Sequence, residues 1–211
     1  MPDQYKENPV TFEHLLSHRS GIPHHDRIWS RGKLNLQFEP GTATMYSTRG
    51  YGVLGDVLCE IAGMNYDQLV KKYIGKPVEA VSFYAPSLLF EAPGGLVNST
   101  ISDMVLFARG VLDDTYISDS LKLNVQWVPI SEDRQEEIGL GWYLANCGTD
   151  SLAVYHAGSN GKPRAFIALR PQQHLGVVIL GKHRSSNGSQ MFYQLARELI
   201  QKLSIIEKPR S

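Results

Sequence analysis

The chain has 211 residues, of which 42% are hydrophobic and 20% charged. That suits one ordinary globular domain and excludes a disordered tether. Twenty-one basic and 21 acidic residues cancel to a formal net charge of zero. No basic run tracks a phosphate backbone, so no nucleic-acid partner is expected. No apolar run reaches the ~20 residues that span a bilayer. The opening MPDQYKENPV is polar and has no signal-peptide core, so the product is expected in the cytoplasm if Met1 is the true start. Cys59 and Cys147 are the only cysteines. Two cysteines make neither a disulfide framework nor a metal cluster, and both read as buried free thiols.

Thr11 is placed to cap a short helix carrying Phe12, Leu15 and Leu16, with Gly21 as its stop. His14 and His18 then share a face of that helix at i and i+4, without the Glu that would make a zinc-protease motif. A polar, irregular stretch follows through Pro23, His24, His25 and Trp29, and Pro40-Gly41 marks a turn. Residues 49–62 repeat apolar side chains at three- and four-residue intervals (Tyr51, Leu54, Leu58, Ile61) before Gly63, the pattern of a helix with its C-cap. Asn65 caps a second helix ending at Gly75 and Pro77. Thr100-Ile101-Ser102-Asp103 resembles a capping box, and the helix behind it carries Ile101, Met104, Val105, Ala108 and Leu112 on one stripe.

The pattern changes after residue 137. Segments 138–146, 151–156, 164–170 and 175–181 are short and rich in β-branched and aromatic residues. They are separated by Gly148-Thr149-Asp150, Asn160-Gly161 and Pro171-Gln172-Gln173, which predicts an antiparallel meander. A last helix is predicted from about Ser189, with Met191, Phe192, Leu195, Leu199 and Ile200 facing the sheet. The expected fold class is α+β: one domain over 1–211, α-rich over about 49–137, with antiparallel strands and a closing helix over 138–203.

An ordered set of blocks runs along the chain. They are Val10-Thr11-Phe12-Glu13-His14-Leu15-Leu16-Ser17-His18-Arg19-Ser20-Gly21-Ile22-Pro23, then Phe38-Glu39-Pro40-Gly41-Thr42, then Met45-Tyr46-Ser47-Thr48-Arg49-Gly50-Tyr51-Gly52-Val53-Leu54-Gly55. Ala92-Pro93-Gly94-Gly95-Leu96 with Ser99-Thr100, Gly139-Leu140-Gly141-Trp142, and His156-Ala157-Gly158 complete the set. In this order the chain resembles the serine β-lactamase-like superfamily, in the branch of class C β-lactamases, D-alanyl-D-alanine peptidases and related esterases. The resemblance implies a β-lactamase/transpeptidase-like fold that lacks its N-terminal segment. It also implies an acyl-serine mechanism in which a Ser-x-x-Lys motif supplies the nucleophile, a Tyr-x-Asn tyrosine moves the serine proton, and a Lys-Thr-Gly or His-x-Gly strand forms the far wall. Here Tyr46 matches the tyrosine, with Thr48 in place of Asn, and His156-Ala157-Gly158 match the strand.

Elementary chemistry agrees with those roles. A free tyrosine has a pKa of about 10 and needs a neighbouring cation to serve as a base near neutrality. Small residues beside His156 let backbone N–H groups approach a substrate carbonyl, and one such donor is worth ~3–4 kcal/mol in a working oxyanion hole. A histidine in place of lysine leaves that wall largely neutral, which favours ester or peptide over β-lactam substrates. The catalytic candidates are therefore Tyr46 and His156, and the substrate-binding candidates are Ser47, Thr48, Ala157, Gly158 and Ser159. No metal or organic cofactor is implied, although the His24-His25-Asp26 loop borders the cleft in the family and suits substrate contact or solvation.

The nucleophile is missing. Ser30-Arg31-Gly32-Lys33 and Ser159-Asn160-Gly161-Lys162 match Ser-x-x-Lys by spacing. Their glycines disfavour the helical turn that would bring both side chains to one face, so both matches read as chance. The expected function is a serine-hydrolase-type domain for a small ester, peptide or β-lactam substrate, with its nucleophile outside this chain. The alternative is a non-catalytic binding module or a split-protein fragment that retains the cleft. Loss of the family's N-terminal strands and central helix would bare a sheet edge and an apolar face. A homo-oligomer or a complementing N-terminal segment is the expected cover.

Overall fold

The structure is a computed structural model, which describes residues 7–24, 26–30, 33–86, 90, 92–130, 137–159, 163–182 and 188–206. Its centre is a five-stranded antiparallel sheet in the order β3-β4-β5-β6-β7. The strands are β3 (Glu137–Ile138), β4 (Tyr143–Ala145), β5 (Ala153–Ser159), β6 (Pro163–Arg170) and β7 (Leu175–Lys182). A two-stranded hairpin, β1 (Trp29–Ser30) with β2 (Lys33–Leu34), precedes it. The helices are α1 (Phe12–Leu16), α2 (Thr48–Ala62), α3 (Tyr66–Leu69), α4 (Ile101–Leu112), α5 (Asp119–Leu121) and α6 (Gly188–Ile206).

Period-two alternation makes the sheet two-faced. Val154, Ile167 and Leu169 point to one face and are buried with Ala108 and Val111 of α4, Trp127 and Leu144. Phe166, Ala168 and Val177 point to the other face and pack on Phe192 and Ala196 of α6. A third cluster of Leu15, Ile22, Ile28 and Leu54 binds α1 and the hairpin region to α2. Gly141 N–H donates to Leu16 C=O at 3.1 Å, and an Arg19 guanidinium N–H donates to Ile130 C=O at 3.1 Å. These two bonds tie the α1 region to the segments flanking β3 and β4.

Several expectations are corrected. Helix α1 stops at Leu16 with Ser17 as C-cap, well before Gly21, and His18 lies beyond the helix at φ 58°, so His14 and His18 share no helix face. The segment 138–146 splits into β3 and β4 around a turn that holds Gly141 at φ 82°. On α4, Val111 is buried while Ile101 and Val105 stand exposed. Thr100 caps α4 through the Asp103 N–H, but the Asp103 carboxylate reaches away to accept the Ser82 N–H at 2.6 Å, so the box is not reciprocal. The irregular stretch after Pro23 contains the β1–β2 hairpin. Both cysteines are free but only half-buried. The Asn160-Gly161 turn and the interiors of both Ser-x-x-Lys matches lie outside the described residues.

Candidate active site

Tyr46 lies immediately before helix α2, and the start of that helix explains its placement. Ser47 is the N-cap: its hydroxyl accepts the Gly50 N–H at 2.9 Å and donates to Pro23 C=O at 3.2 Å. With both functions committed and only 1% of the residue exposed, Ser47 serves the cap and not the groove. Two imidazoles close the arrangement. His18 Nδ1 accepts the Ser47 N–H at 3.1 Å, and His24 Nδ1 accepts the Thr48 N–H at 3.2 Å. Met45 N–H donates to His18 C=O at 2.8 Å. The Tyr46 ring lies 4.4 Å from the His18 ring and 5.5 Å, edge-on, from the His24 ring. Tyr46 remains 39% exposed.

The second wall is the end of β5. His156, Ala157, Gly158 and Ser159 pair on one side with Ile167, Phe166, Ala165 and Arg164 of β6. On the other side β4 reaches only Tyr155, which pairs with Tyr143. The last four residues of β5 therefore form a one-sided edge among the described strands. Ala157, Gly158 and Ser159 are exposed. A Cβ built on Gly158 would meet nothing within 4 Å. The Ser159 hydroxyl accepts from the Arg164 guanidinium. The His156 ring lies 5.5 Å from that of Tyr143, tilted by 35°, and its buried Nδ1 has no hydrogen-bond partner among the described residues.

The two walls meet. Tyr46, Tyr143, Tyr155 and Ala157 line one groove of about 380 Å³. Burial lowers the His156 pKa. Burial, then the neighbouring His156 and His24, lower that of His18 from 6.5 to about 4. Both imidazoles are therefore neutral at pH 7. Among the described residues no three His, Cys, Asp or Glu side chains are grouped to hold a metal ion.

Of the residues singled out in the sequence, Tyr46 and Ala157 line the groove and Ser47 is committed to the cap, while the sequence assigns neither His18 nor His24 the role of amide acceptor that the structure gives them. Each accepts from an amide 24 or more residues away, which no local periodicity encodes. The one available signal was the imidazole-rich loop that follows α1.

Residues 2–200 match the Beta-lactamase family model. The chain belongs to the Beta-lactamase family. A Bacillus subtilis penicillin-binding protein is 25% identical over 71% of this chain and 46% of its own length. The D-alanyl-D-alanine-carboxypeptidase/endopeptidase AmpH of Escherichia coli is 22% identical over 83% of the chain and 59% of its own length. The chain thus spans about half the length of the curated relatives it matches. A solved β-lactamase from Mycobacterium bovis superposes with a TM-score of 0.76 at 21% identity, covering 91% of this chain and 73% of that one, which establishes the shared fold.

Proposed function

We propose that this chain carries two walls of an acyl-serine hydrolase site for ester, peptide or β-lactam acyl groups, and that the nucleophile comes from polypeptide outside these 211 residues. The observation that carries the reading is the common groove between Tyr46 and the Ala157 edge of β5. Tyr46 takes the proton from the attacking serine and returns it to the leaving group. The open β5 edge at Ala157–Ser159 supplies backbone donors to the substrate carbonyl, and His156 orients or polarises the substrate. Thr48, two residues after Tyr46 in the chain, is the substrate-contact candidate on that side. The tyrosine needs a nearby cation to act as a base, and the family's Ser-x-x-Lys lysine is the group suited to provide it.

Two further features support an external segment. The unpartnered, buried His156 Nδ1 has an unmet need for a hydrogen bond, and such atoms call for a ligand or a neighbouring segment. The eight-residue β7 ends the sheet among the described strands, and Ile101 and Val105 of α4 and Met191 and Leu195 of α6 are exposed. A complementing segment or a second copy of the chain would cover that edge. The open β5 edge equally suits a binding module that needs no nucleophile.

The test is turnover of a p-nitrophenyl ester by the chain alone and by the chain co-expressed with an N-terminal polypeptide of a relative carrying Ser-x-x-Lys. The proposal expects background rates alone and hydrolysis on complementation, with Tyr46→Phe lowering kcat by roughly 10²–10⁴-fold. Undiminished turnover in the complemented Tyr46→Phe protein would contradict the role of Tyr46. Saturable binding of ester analogues without turnover in any combination would favour the binding module.

A further inference from the structure

The groove is built from Tyr46, yet the side chain that fixes Tyr46 is buried behind it. His18 is 7% exposed and sits at φ 58°, a left-handed conformation uncommon for non-glycine residues. Its ring lies between two tyrosines, at 4.4 Å from Tyr46 and 5.0 Å from Tyr51. Tyr51 is anchored in turn, because its hydroxyl donates to Leu16 C=O at 2.9 Å. The His18 backbone carbonyl accepts from Met45, and its Nδ1 accepts from Ser47. One residue therefore grips the chain on both sides of Tyr46 and supports the ring itself. The pattern is more than core packing requires, since a buried aromatic would fill the space without accepting an amide.

We propose that His18 is the positioning residue of Tyr46, holding the tyrosine over the groove through a neutral imidazole acceptor to the Ser47 amide and through ring contact. The catalytic consequence rests on the reading of Tyr46 as the proton-transfer group; the geometric claim stands without it. His24 Nδ1 likewise accepts the Thr48 N–H. A proton on His18 Nδ1 would turn the acceptor into a donor facing the Ser47 N–H, and the loop would lose its hold. The groups facing His18 are Tyr46 and His24 from the loops, Tyr51 from α2 and His156 from β5. None of them is an anion that would hold the imidazolium in place.

The test uses NMR on the whole chain, with urea unfolding as the check on folding. His18→Asn keeps an acceptor near the Nδ1 position and tolerates the left-handed backbone, but it removes the ring. His18→Phe keeps the ring and removes the acceptor. The Ser47 amide should exchange with solvent at a similar rate in wild type and His18→Asn, and on the order of tenfold faster in His18→Phe. The Tyr46 ring signals should lose their His18 ring-current shift in His18→Asn alone. In the wild type, lowering the pH through about 4 should move the Tyr46 ring and Ser47 amide signals with the midpoint of the His18 ring nitrogens, each imidazole being followed separately. Tyr46 signals that ignore the His18 titration, or a Ser47 exchange rate unchanged in His18→Phe, would overturn the proposal. The wild-type titration, read over the pH range in which the urea check shows the chain still folded, decides the matter even if a variant fails to fold. The reading of Tyr46 as the proton carrier fails separately, in ester turnover by the complemented Tyr46→Phe protein.

Discussion

The two walls of the groove are built by opposite strategies. Around Tyr46, backbone donors at 45, 47, 48 and 50 meet acceptors from His18, His24 and Ser47, and the rings interlock. At the β5 tip one edge of four residues is unpaired among the described strands, Gly158 faces open space, and His156 keeps a buried nitrogen unsatisfied. Among the described residues, one wall is hydrogen-bonded throughout, while the other leaves a strand edge open. Under the proposed function, this division would hold Tyr46 rigid while leaving the β5 edge free for substrate and for a further segment.

The sharpest way to break this contrast is acid. His18 protonates near pH 4 when folded and near 6.5 when unfolded. Between those values the unfolded chain holds more protons, so stability is full above about pH 6.5 and falls as the pH drops towards 4. The loss is on the order of 3 kcal/mol for His18. His156, also lowered by burial, acts in the same direction. Urea midpoints measured from pH 7 to 4 should fall steeply in wild type and less in His18→Asn.

Next comes Gly94→Ala. A Cβ there would stand 2.4 Å from Thr48 Cγ2 and 2.7 Å from the Thr48 carbonyl oxygen, so overpacking at the start of α2 should cost about 1–3 kcal/mol. Ser47→Ala removes the N-cap and should cost about 1 kcal/mol in urea unfolding, with faster exchange of the Gly50 amide. Smallest is Gly158→Ala, which should leave stability within ±0.5 kcal/mol while weakening binding of an ester analogue. A Gly158→Ala protein as unstable as Gly94→Ala would erase the distinction between the walls.

The elements that local chemistry specifies were legible. Thr11, Asn65 and Thr100 cap where their side chains can reach an N–H three residues on, and Gly63 ends α2 at φ 61° because that left-handed turn costs glycine little. The order of motifs placed Tyr46 and His156 in one family pattern. What stayed hidden depends on distant contacts. Residues 139–142 look strand-like, but Gly139 N–H turns back to Trp142 C=O at 2.9 Å. His18 looks like a helix-face residue until the chain folds back and brings Ser47 to its ring. Ser47 looks like part of the groove until its hydroxyl is committed to Pro23 and Gly50.

The most direct measurement treats the 211-residue chain with a fluorophosphonate probe and maps every modified serine by mass spectrometry. The account predicts no stoichiometric labelling of the chain alone, and labelling of the supplied Ser-x-x-Lys serine on complementation. Stoichiometric labelling at Ser30 or Ser159 in the chain alone, abolished by Ser30→Ala or Ser159→Ala, would place the nucleophile inside this polypeptide and contradict the account.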